Sequence, residues 1–426
     1  MRPVLARLCS LLVTVGLLLS VLSPAALAVG GPGGGSVPGE VVVKLAQAAD
    51  LPAVAATFAL DPTPLDQFGS RPIFRLRILD GSSASSKASV LSLDPRVQYA
   101  DTNQIGQAPE SQGISWAQGI SWAQGISWAQ GISWAQGGAT VYGSQWGVAQ
   151  MRLPQAQAIN NGAGQIVAVL DTGIDLSHPA FAGRLVPGYD FVDNDPDPSE
   201  VGSQLINPTY GHGTMVAGLV ALAAPGAQIM PLRVLDVNGA GNVWVLAEAL
   251  QYAIGHGATV VNLSLAMPSD SRLLDEVLTA VACGDPATIG PTDMPCYRPG
   301  GAVVVEAAGN FGNQTQVFPA GDRVKGALAV GASEPNDTLA VFSDFGSWVG
   351  VAAPGDMIVS AVPGGGTGMW AGTSFAAPLV AGEAALVRAA FPAASTLAIV
   401  TRINQNSVLI NSPVRSRADA LAALTN

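Results

Sequence analysis

Five largely apolar segments after residue 165 limit what this chain can fold into. Each is four to eight residues long, as expected for strands buried on both faces of a sheet, and helical patterns lie between several of them. The apolar segments are residues 166–170, 228–235, 259–265, 302–305 and 327–330, and the helical ones are 213–223, 243–254 and 271–282. Strands that alternate with helices predict the α/β class, with a doubly wound, mostly parallel sheet. In such a sheet the loops at the carboxyl ends of the strands carry the functional groups.

The composition fits a folded chain with a large core. Of the 426 residues, 49% are hydrophobic and only 12% are charged. The formal net charge of −11 at pH 7 repels nucleic acids and anionic membrane surfaces, so neither is expected as a partner. No cofactor is expected either, and the chain is expected to be a monomer.

The first 28 residues have the pattern of a secretory signal peptide. Arg2 and Arg7 precede an apolar stretch at residues 8–22, and Ala-Leu-Ala at residues 26–28 forms a small-x-small cleavage site. An uncleaved membrane anchor is the less favoured alternative, because the apolar stretch is short for a bilayer span. We therefore expect a secreted, extracellular or periplasmic protein without a stable membrane anchor.

Two cysteines, Cys283 and Cys296, remain once the signal peptide is removed. In an oxidising compartment a disulfide between them is the favoured interpretation, and two free thiols are the alternative.

Residues 36–103 have a β-α-β-α-β pattern that predicts a small α+β domain. Its strands are predicted at 41–45, 73–79 and 97–100, and its helices at 48–60 and 83–93. The following segment, residues 104–141, contains four hexapeptides with the sequence Gln-Gly-Ile-Ser-Trp-Ala. We interpret these repeats as an expanded linker, and the alternative is an aromatic strip that docks on a partner.

Three polar motifs supply a carboxylate, an imidazole and a hydroxyl. Asp171 directly follows an apolar segment, in Asp-Thr-Gly-Ile-Asp. His212 lies in Gly-His-Gly-Thr and Ser374 in Gly-Thr-Ser-Phe-Ala-Ala-Pro, each at the start of a helical pattern. These are the parts of a Ser-His-Asp triad. Asp-Thr-Gly is also the aspartic-peptidase signature, but such enzymes need two carboxylates, and the chain has no second Asp-Thr-Gly or Asp-Ser-Gly.

In their order along the chain, these motifs resemble those of the subtilisin-like serine peptidases, over about residues 145–388. The resemblance implies that Asp171 orients His212, that His212 is the general base, and that Ser374 is the nucleophile. It also implies that Asn310, in Ala-Ala-Gly-Asn, donates its side-chain amide to the oxyanion formed during the reaction.

The same resemblance assigns substrate contacts. Two short segments are expected to hold the substrate, one as a strand that pairs with it and one as a wall of a side-chain pocket: Ser264, Leu265 and Ala266, and then Ala307, Ala308 and Gly309. The small domain is expected to be an inhibitory propeptide, and residues 142–426 are expected to be the peptidase domain. A small accessory domain that stays attached is the alternative.

No metal is expected from the resemblance. Ala180 stands where family members with a strong calcium site carry Asp, and residues 218–225 leave no room for the loop that completes that site. One acidic loop resembles a different calcium-binding loop of the family, but a solvated acidic turn is the favoured interpretation: Asp190, Asp193, Asp195 and Asp197.

These expectations define a secreted serine endopeptidase that acts on proteins or peptides and is made as a zymogen. The alternative is a catalytically weak or inactive binding protein of the same fold that uses the tryptophan-rich repeat.

Overall fold

The structure, a computed structural model, describes residues 35–108, 139–204, 206–283 and 300–426, with side chains from residue 142 onward in the second range. The helices of these residues are α1 Leu51–Phe58, α2 Ala84–Leu91, α3 Ala139–Ser144, α4 Trp146–Gln150, α5 Leu153–Ile159, α6 His212–Ala223, α7 Val243–Gly255, α8 Arg272–Cys283, α9 Thr373–Ala390, α10 Thr396–Gln405 and α11 Ala420–Thr425. The strands are β1 Glu40–Leu45, β2 Asp66–Gln67, β3 Ile73–Arg77, β4 Val97–Asp101, β5 Ile105–Gln107, β6 Ile166–Asp171, β7 Tyr189–Asp190, β8 Gln228–Arg233, β9 Ala240–Asn242, β10 Val260–Leu263, β11 Val303–Ala307, β12 Ala327–Ser333, β13 Val349–Pro354, β14 Ile358–Val362, β15 Gly366–Trp370, β16 Val408–Leu409 and β17 Ser416–Arg417.

Nine strands form the main sheet, in the order β16-β17-β13-β12-β11-β10-β6-β8-β7. All neighbours from β17 to β7 are parallel, and only β16 and β17 pair antiparallel. From β6 the chain builds β7 and β8 on one side, and then returns to add β10 to β13 on the other. Between β6 and β10 the strand order reverses, and the loops that follow these strands diverge to leave a crevice.

Helices cover both faces of this sheet. In β6, Val167 and Val169 belong to the core under α6 and α9, whereas Ala168 and Leu170 belong to the core under α7 and α8. This division follows from the alternation of side chains along a strand. Helix α9 is buried from Thr373 to Arg388, because its small and aliphatic side chains allow close packing between the sheet and α6. The predicted doubly wound α/β fold is confirmed.

The small domain is a four-stranded antiparallel sheet in the order β2-β3-β1-β4, packed against α1 and α2. Ser83 accepts a hydrogen bond from the Ser86 N–H, which starts α2 at Ala84. Its strands and helices lie within one to three residues of the predicted ones, except β2, which has no apolar pattern and was not predicted. The domain has a core of its own, with Val41, Val43, Leu45, Leu76 and Leu91 among its members.

The small domain contacts α7 and α8 through a surface that we call the small-domain interface. Its apolar part is a buried cluster in which Val42, Phe68, Ile73 and Tyr99 pack with residues of α7 and α8, and the ring centroids of Phe68 and Trp244 lie 5.9 Å apart. Its polar contacts surround that cluster: Lys44 pairs with Glu276, Asp66 accepts from Trp244 Nε1 at 3.1 Å, Asp101 accepts from the Arg272 N–H at 2.8 Å, and Gln104 Nε2 donates to the Asp270 carbonyl at 2.6 Å. The side chains of Lys44 and Glu276 are both partly exposed.

Among the described helices, none is long and apolar enough to cross a bilayer. The predicted signal peptide at residues 1–28, the hexapeptide repeats at residues 112–135 and Cys296 lie outside the described residues.

Candidate active site

A carboxylate and an imidazole meet at the crevice of the main sheet. Asp171 is the last residue of β6, and His212 is the first residue of α6. Asp171 Oδ1 lies 2.6 Å from His212 Nδ1, and both side chains are fully buried. This hydrogen bond favours the proton on Nδ1, so that Nε2 can act as the proton acceptor. The Thr172 N–H also donates to Asp171 Oδ1, at 2.8 Å, and so fixes the orientation of the carboxylate.

The glycine after His212 allows this close approach of α6 to β6. A Cβ on Gly213 would lie 2.1 Å from the Gly173 carbonyl oxygen and 3.1 Å from Asp171 Cβ. On the other side of His212, Gly211 has a φ of 89°, a left-handed conformation that disfavours other residues. The Gly-His-Gly motif therefore serves the contact between imidazole and carboxylate.

Two aromatic rings enclose the imidazole. The ring centroids of Trp370 and Phe375 lie 5.6 Å and 5.4 Å from that of His212, and 5.0 Å from each other. Such packing limits rotation of the imidazole and lowers the local dielectric, which strengthens the hydrogen bond to Asp171.

A partly buried glutamate bridges the two motifs through hydrogen bonds. Glu200 accepts hydrogen bonds from the hydroxyl groups of Thr172, at 2.8 Å, and of Thr214, at 2.9 Å. The Thr172 hydroxyl in turn accepts from the Gly213 N–H at 3.0 Å. Burial raises the pKa of Glu200 to about 7, and the charge of Asp171 adds to this shift. Glu200 thus links the residue after Asp171 to the first turn of α6.

Ser374 is the second residue of α9. The start of this helix lies close in space to the carboxyl end of β10. Its carbonyl oxygen accepts a hydrogen bond from the Ser264 hydroxyl at 2.9 Å, and Asn262 Nδ2 donates to that hydroxyl at 2.9 Å. The next residue, Phe375, contacts the His212 ring, so the first turn of α9 and the imidazole are joined through this aromatic side chain. The backbone N–H groups in the first turn of a helix lack helical partners and carry partial positive charge.

Asn310 is bound to the start of the same helix. Its Oδ1 accepts from both the N–H and the hydroxyl of Thr373, at 2.9 Å and 2.8 Å. Because Thr373 holds the oxygen of the amide, the Asn310 Nδ2 is oriented away from Thr373. The Thr373 hydroxyl also accepts from the Gly309 N–H at 3.2 Å, which fixes the loop that carries Asn310.

Asp344 stabilises that loop through hydrogen bonds with its backbone. It is fully buried, and its Oδ1 accepts from the N–H groups of Phe311 and Asn313, both at 3.0 Å. Burial raises the pKa of Asp344 to about 7. A Cβ on Gly309 would lie 2.2 Å from Asp344 Oδ2, so this position of the loop requires glycine.

One segment of the chain lies extended between β9 and the backbone at Ala266. We call residues 105–108 the tail segment. Its strand β5 pairs antiparallel with β9, and Gln107 exchanges two hydrogen bonds with Ala266 on the opposite side, at 2.9 Å and 2.8 Å. The Ala108 N–H donates to the Gly239 carbonyl at 2.9 Å. Of the three residues predicted to pair with substrate, Ala266 pairs with the backbone of Gln107. The Ser264 hydroxyl donates a hydrogen bond to the Ser374 carbonyl.

The other predicted binding residues are buried, after β10 or at the end of β11. Leu265 is buried and lines an apolar hollow under Gly106, together with Val234, Leu235, Leu246 and Met267. Ala307 and Ala308 are buried at the end of β11, and a Cβ on Gly309 would lie 3.0 Å from Val317 Cγ2.

A sequence profile described as "Subtilase family" matches residues 162–419, which is more than half of the chain. The chain belongs to the subtilase family. The matched range includes all four residues that the sequence predicts to be catalytic, Asp171, His212, Asn310 and Ser374.

The relatives of this subtilase are peptidases. A thermophilic serine proteinase of Bacillus sp. (strain AK1) is 33% identical over 373 residues, which cover 83% of this chain and 79% of that protein. Thermitase of Thermoactinomyces vulgaris is 36% identical over 263 residues, which cover 59% and 85%. A cold-adapted subtilisin-like serine proteinase superposes with a TM-score of 0.52 at 30% identity, over 63% of this chain and 91% of that one. Fervidolysin from Fervidobacterium pennivorans, at 21% identity, shares the fold with a TM-score of 0.68, over 92% and 62%. The chain is accordingly a serine peptidase.

The acidic loop of this subtilase is paired with an arginine of the same chain. Arg233 Nη1 donates to Asp190 Oδ2 and to Asp193 Oδ2, both at 2.5 Å. Asp195 and Asp197 accept hydrogen bonds from backbone N–H groups two residues further on, as turn-forming aspartates do.

Three residues of the site were not identified from the sequence: Glu200, Asp344 and Trp370. Each acts through a residue that is distant in the chain, and none lies in a motif. The local signals are positional: Trp370 lies two residues before Gly372, and Glu200 lies eleven residues before Gly211.

Proposed function

We propose that this subtilase is a secreted serine endopeptidase that cleaves proteins through Ser374, His212 and Asp171. The observation that carries the proposal is the 2.6 Å hydrogen bond between His212 Nδ1 and Asp171 Oδ1 at the point where α9 begins. This hydrogen bond supports the proposed role of His212, in which Nε2 accepts the proton of the Ser374 hydroxyl in the first turn of α9.

In the proposed reaction, His212 Nε2 takes the proton of the Ser374 hydroxyl while the Ser374 oxygen attacks the carbonyl carbon of the peptide bond. The carbonyl oxygen becomes an oxyanion and accepts hydrogen bonds from Asn310 Nδ2 and from the Ser374 N–H. Asp171 stabilises the imidazolium. His212 then gives its proton to the departing amine, which leaves an ester on Ser374. Water, deprotonated by His212, hydrolyses this ester and restores the serine.

The course of the tail segment supports cleavage within chains. Residues 105–108 lie extended in the cleft, held by backbone hydrogen bonds on both sides, and the polypeptide continues beyond Ala108. A cleft that accepts an internal segment does not need a free terminus. Backbone pairing of this kind is the β-augmentation mode of peptide recognition.

We also propose that the small domain and the tail segment inhibit the enzyme until they are cut off. Gln107 uses the hydrogen-bonding groups of Ala266 that an extended substrate would need. Substrate cannot enter while the tail segment stays bound. The proposed domain division is therefore a signal peptide at 1–28, a propeptide at 36–103, a linker at 104–141 and a peptidase domain at 142–426.

The proposal is tested with a fluorophosphonate probe and with Ser374→Ala. The processed parent should be labelled covalently, and Ser374→Ala should stay unlabelled and remain an uncut precursor. Lack of labelling in processed, folded protein would favour the inactive binding protein instead. Processing of Ser374→Ala at the parental rate would disprove self-maturation but not the peptidase activity.

Export and the disulfide are tested on secreted protein. We propose that the signal peptide is cut after Ala28 and that Cys283 and Cys296 form a disulfide. Peptide mapping of the precursor without reductant should give a peptide that starts at Val29 and a linked Cys283–Cys296 pair. Recovery of both cysteines as free thiols would exclude the disulfide.

A further inference from the structure

One buried carboxyl group lies against the loop that carries the proposed oxyanion donor. Asp344 is fully buried, and its Oδ1 accepts hydrogen bonds from the N–H groups of Phe311 and Asn313, both at 3.0 Å. The backbone N–H of Asp344 donates to the Gly309 carbonyl at 2.9 Å. Asp344 therefore contacts the main chain on both sides of Asn310.

The second oxygen of this carboxyl group has no described donor. Asp344 Oδ2 is buried, and no described residue donates a hydrogen bond to it. The 3.0 Å contact of Oδ1 with the Phe311 N–H places the carboxyl group within about 9 Å of the Asn310 side-chain amide, whatever the rotamer of that amide. A charge on Asp344 would therefore act on any group that the amide binds.

None of the described ion pairs neutralises Asp344. The titratable groups on the segments around it each have another partner: Glu334 accepts from the Thr338 hydroxyl at 3.1 Å, Asp337 pairs with Arg417, and His212 pairs with Asp171. Burial raises the pKa of Asp344 to about 7, and its hydrogen bonds with backbone N–H groups offset this rise only in part. The buried carboxyl group can therefore be neutral at the pH at which a peptidase works.

We propose that Asp344 is a positioning residue of the oxyanion site and that it acts in its protonated, neutral form. Neutral Asp344 accepts the two N–H groups through Oδ1 and so holds the Asn310 loop in place. When Oδ2 loses its proton, the negative charge opposes the charge that develops on the oxyanion, in surroundings of low dielectric. The carbonyl group of the bound substrate is uncharged, so ionisation of Asp344 should lower kcat and leave KM nearly unchanged. This inference rests on the proposed function.

The test compares kcat of the processed parent and of processed Asp344→Asn between pH 6 and pH 9, with a peptide substrate that does not titrate. The amide keeps an acceptor oxygen for the two N–H groups but cannot ionise. The ratio of the variant's kcat to the parent's cancels the titration of His212, which both enzymes share. This ratio should be near one at pH 6 and rise to about tenfold at pH 9, with its midpoint near pH 7.

Two further variants distinguish this role from a purely structural one. Asp344→Ala removes the acceptor oxygen and should lower kcat about tenfold already at pH 6, where Asp344→Asn retains the parental value. Asp195→Asn removes the charge of an exposed aspartate that also accepts from a backbone N–H, and its kcat ratio should stay near one at every pH.

Melting temperatures show whether Asp344→Asn folds. At pH 8 this variant should melt at or above the parent temperature. The reason is that a carboxyl group with a raised pKa loses its contribution to stability as the pH rises from the ordinary pKa of an aspartate to about 7.

A kcat ratio that stays constant from pH 6 to pH 9, or a pH effect confined to KM, would overturn the role of Asp344. The proposed function fails in a different way. A processed parent that the fluorophosphonate probe does not label would refute both the function and this inference, whereas a labelled, active parent with a constant ratio would refute the inference alone.

Discussion

The proposed catalytic centre and the small-domain interface are held together by different kinds of contact. In the centre, Asp171 and His212 are fully buried, and backbone N–H groups and aromatic rings fix them in place. At the interface, Lys44 pairs with Glu276 while both side chains remain partly exposed, and the tail segment adds backbone hydrogen bonds that any extended peptide can form.

This difference indicates which region is permanent and which can be released. Removal of one partner from a buried charged pair costs about 3–5 kcal/mol, whereas a solvent-exposed pair contributes about 0–1 kcal/mol. The polar contacts of the interface are therefore weak one by one and compete with water or with substrate, and apolar contacts such as that of Phe68 with Trp244 add to them. Such a surface is suited to an inhibitor that is held firmly in the precursor and lost after cleavage.

The largest expected effect comes from the centre. Asp171→Asn should lower kcat/KM for a peptide substrate by about 10⁴, because an amide no longer holds the imidazole in the tautomer that accepts the serine proton. The matched control is Asp175→Asn, whose carboxylate only accepts hydrogen bonds from Ser177 and Gly364. A loss below tenfold for Asp171→Asn would contradict the assignment of the triad.

The next effect concerns the oxyanion. Asn310→Ala should lower kcat by about 10²–10³ with little change in KM, because the lost hydrogen bond forms mainly in the transition state. Thr373→Val removes the hydroxyl that orients the Asn310 amide and should cost about tenfold. Steady-state kinetics separate the two parameters, and an Asn310→Ala variant changed only in KM would exclude an oxyanion role.

A smaller effect should depend on pH at the small-domain interface. Burial in the interface, and then the charge of Asp66, raises the pKa of Glu248 to about 7. A carboxyl group whose pKa is higher in the bound state favours binding at low pH. This contribution is lost as the pH rises from the ordinary pKa of a glutamate to about 7. After self-cleavage, the small domain should therefore dissociate on the order of tenfold faster at pH 8 than at pH 5.

The measurement is the rate at which activity appears in freshly cleaved precursor at different pH values. Glu248→Gln should flatten the pH dependence, because the amide does not titrate. An unchanged profile in that variant would assign the pH dependence to another group.

The smallest effect is expected for the partly exposed ion pair of Lys44 and Glu276. Lys44→Ala should speed dissociation of the small domain about two- to fivefold, because a partly exposed pair contributes at most about 1 kcal/mol. The effect should shrink in 1 M NaCl, where surface charges are screened. A change of a hundredfold or more would mean that the pair dominates the interface, contrary to the comparison.

The sequence sufficed for the parts of the site that lie at the ends of regular elements. Asp171 follows an apolar strand and His212 and Ser374 begin helices, so local patterns predicted where these groups would be. The supporting residues have no such pattern. Glu200 and Asp344 accept hydrogen bonds from residues 14 to 33 positions away, and Trp370 reaches His212 from a hairpin formed late in the chain. Long-range contacts of this kind depend on how the elements pack, which a single sequence does not specify.

The acidic loop at residues 190–197 illustrates the same limit. It is contiguous and was noticed from the sequence, but two of its aspartates, Asp190 and Asp193, prove to have Arg233 as a partner, which comes from β8 further along the chain.

The pairing of Gln107 with Ala266 has a consequence for inhibitor chemistry. Both hydrogen bonds between Gln107 and Ala266 are made by main-chain groups. A peptide ligand can therefore form them whatever side chain it carries at this position. Methylation of its amide nitrogen at this position removes one donor and should prevent binding. A set of peptides that each carry one N-methyl group would therefore map, atom by atom, how a bound chain is aligned in the cleft.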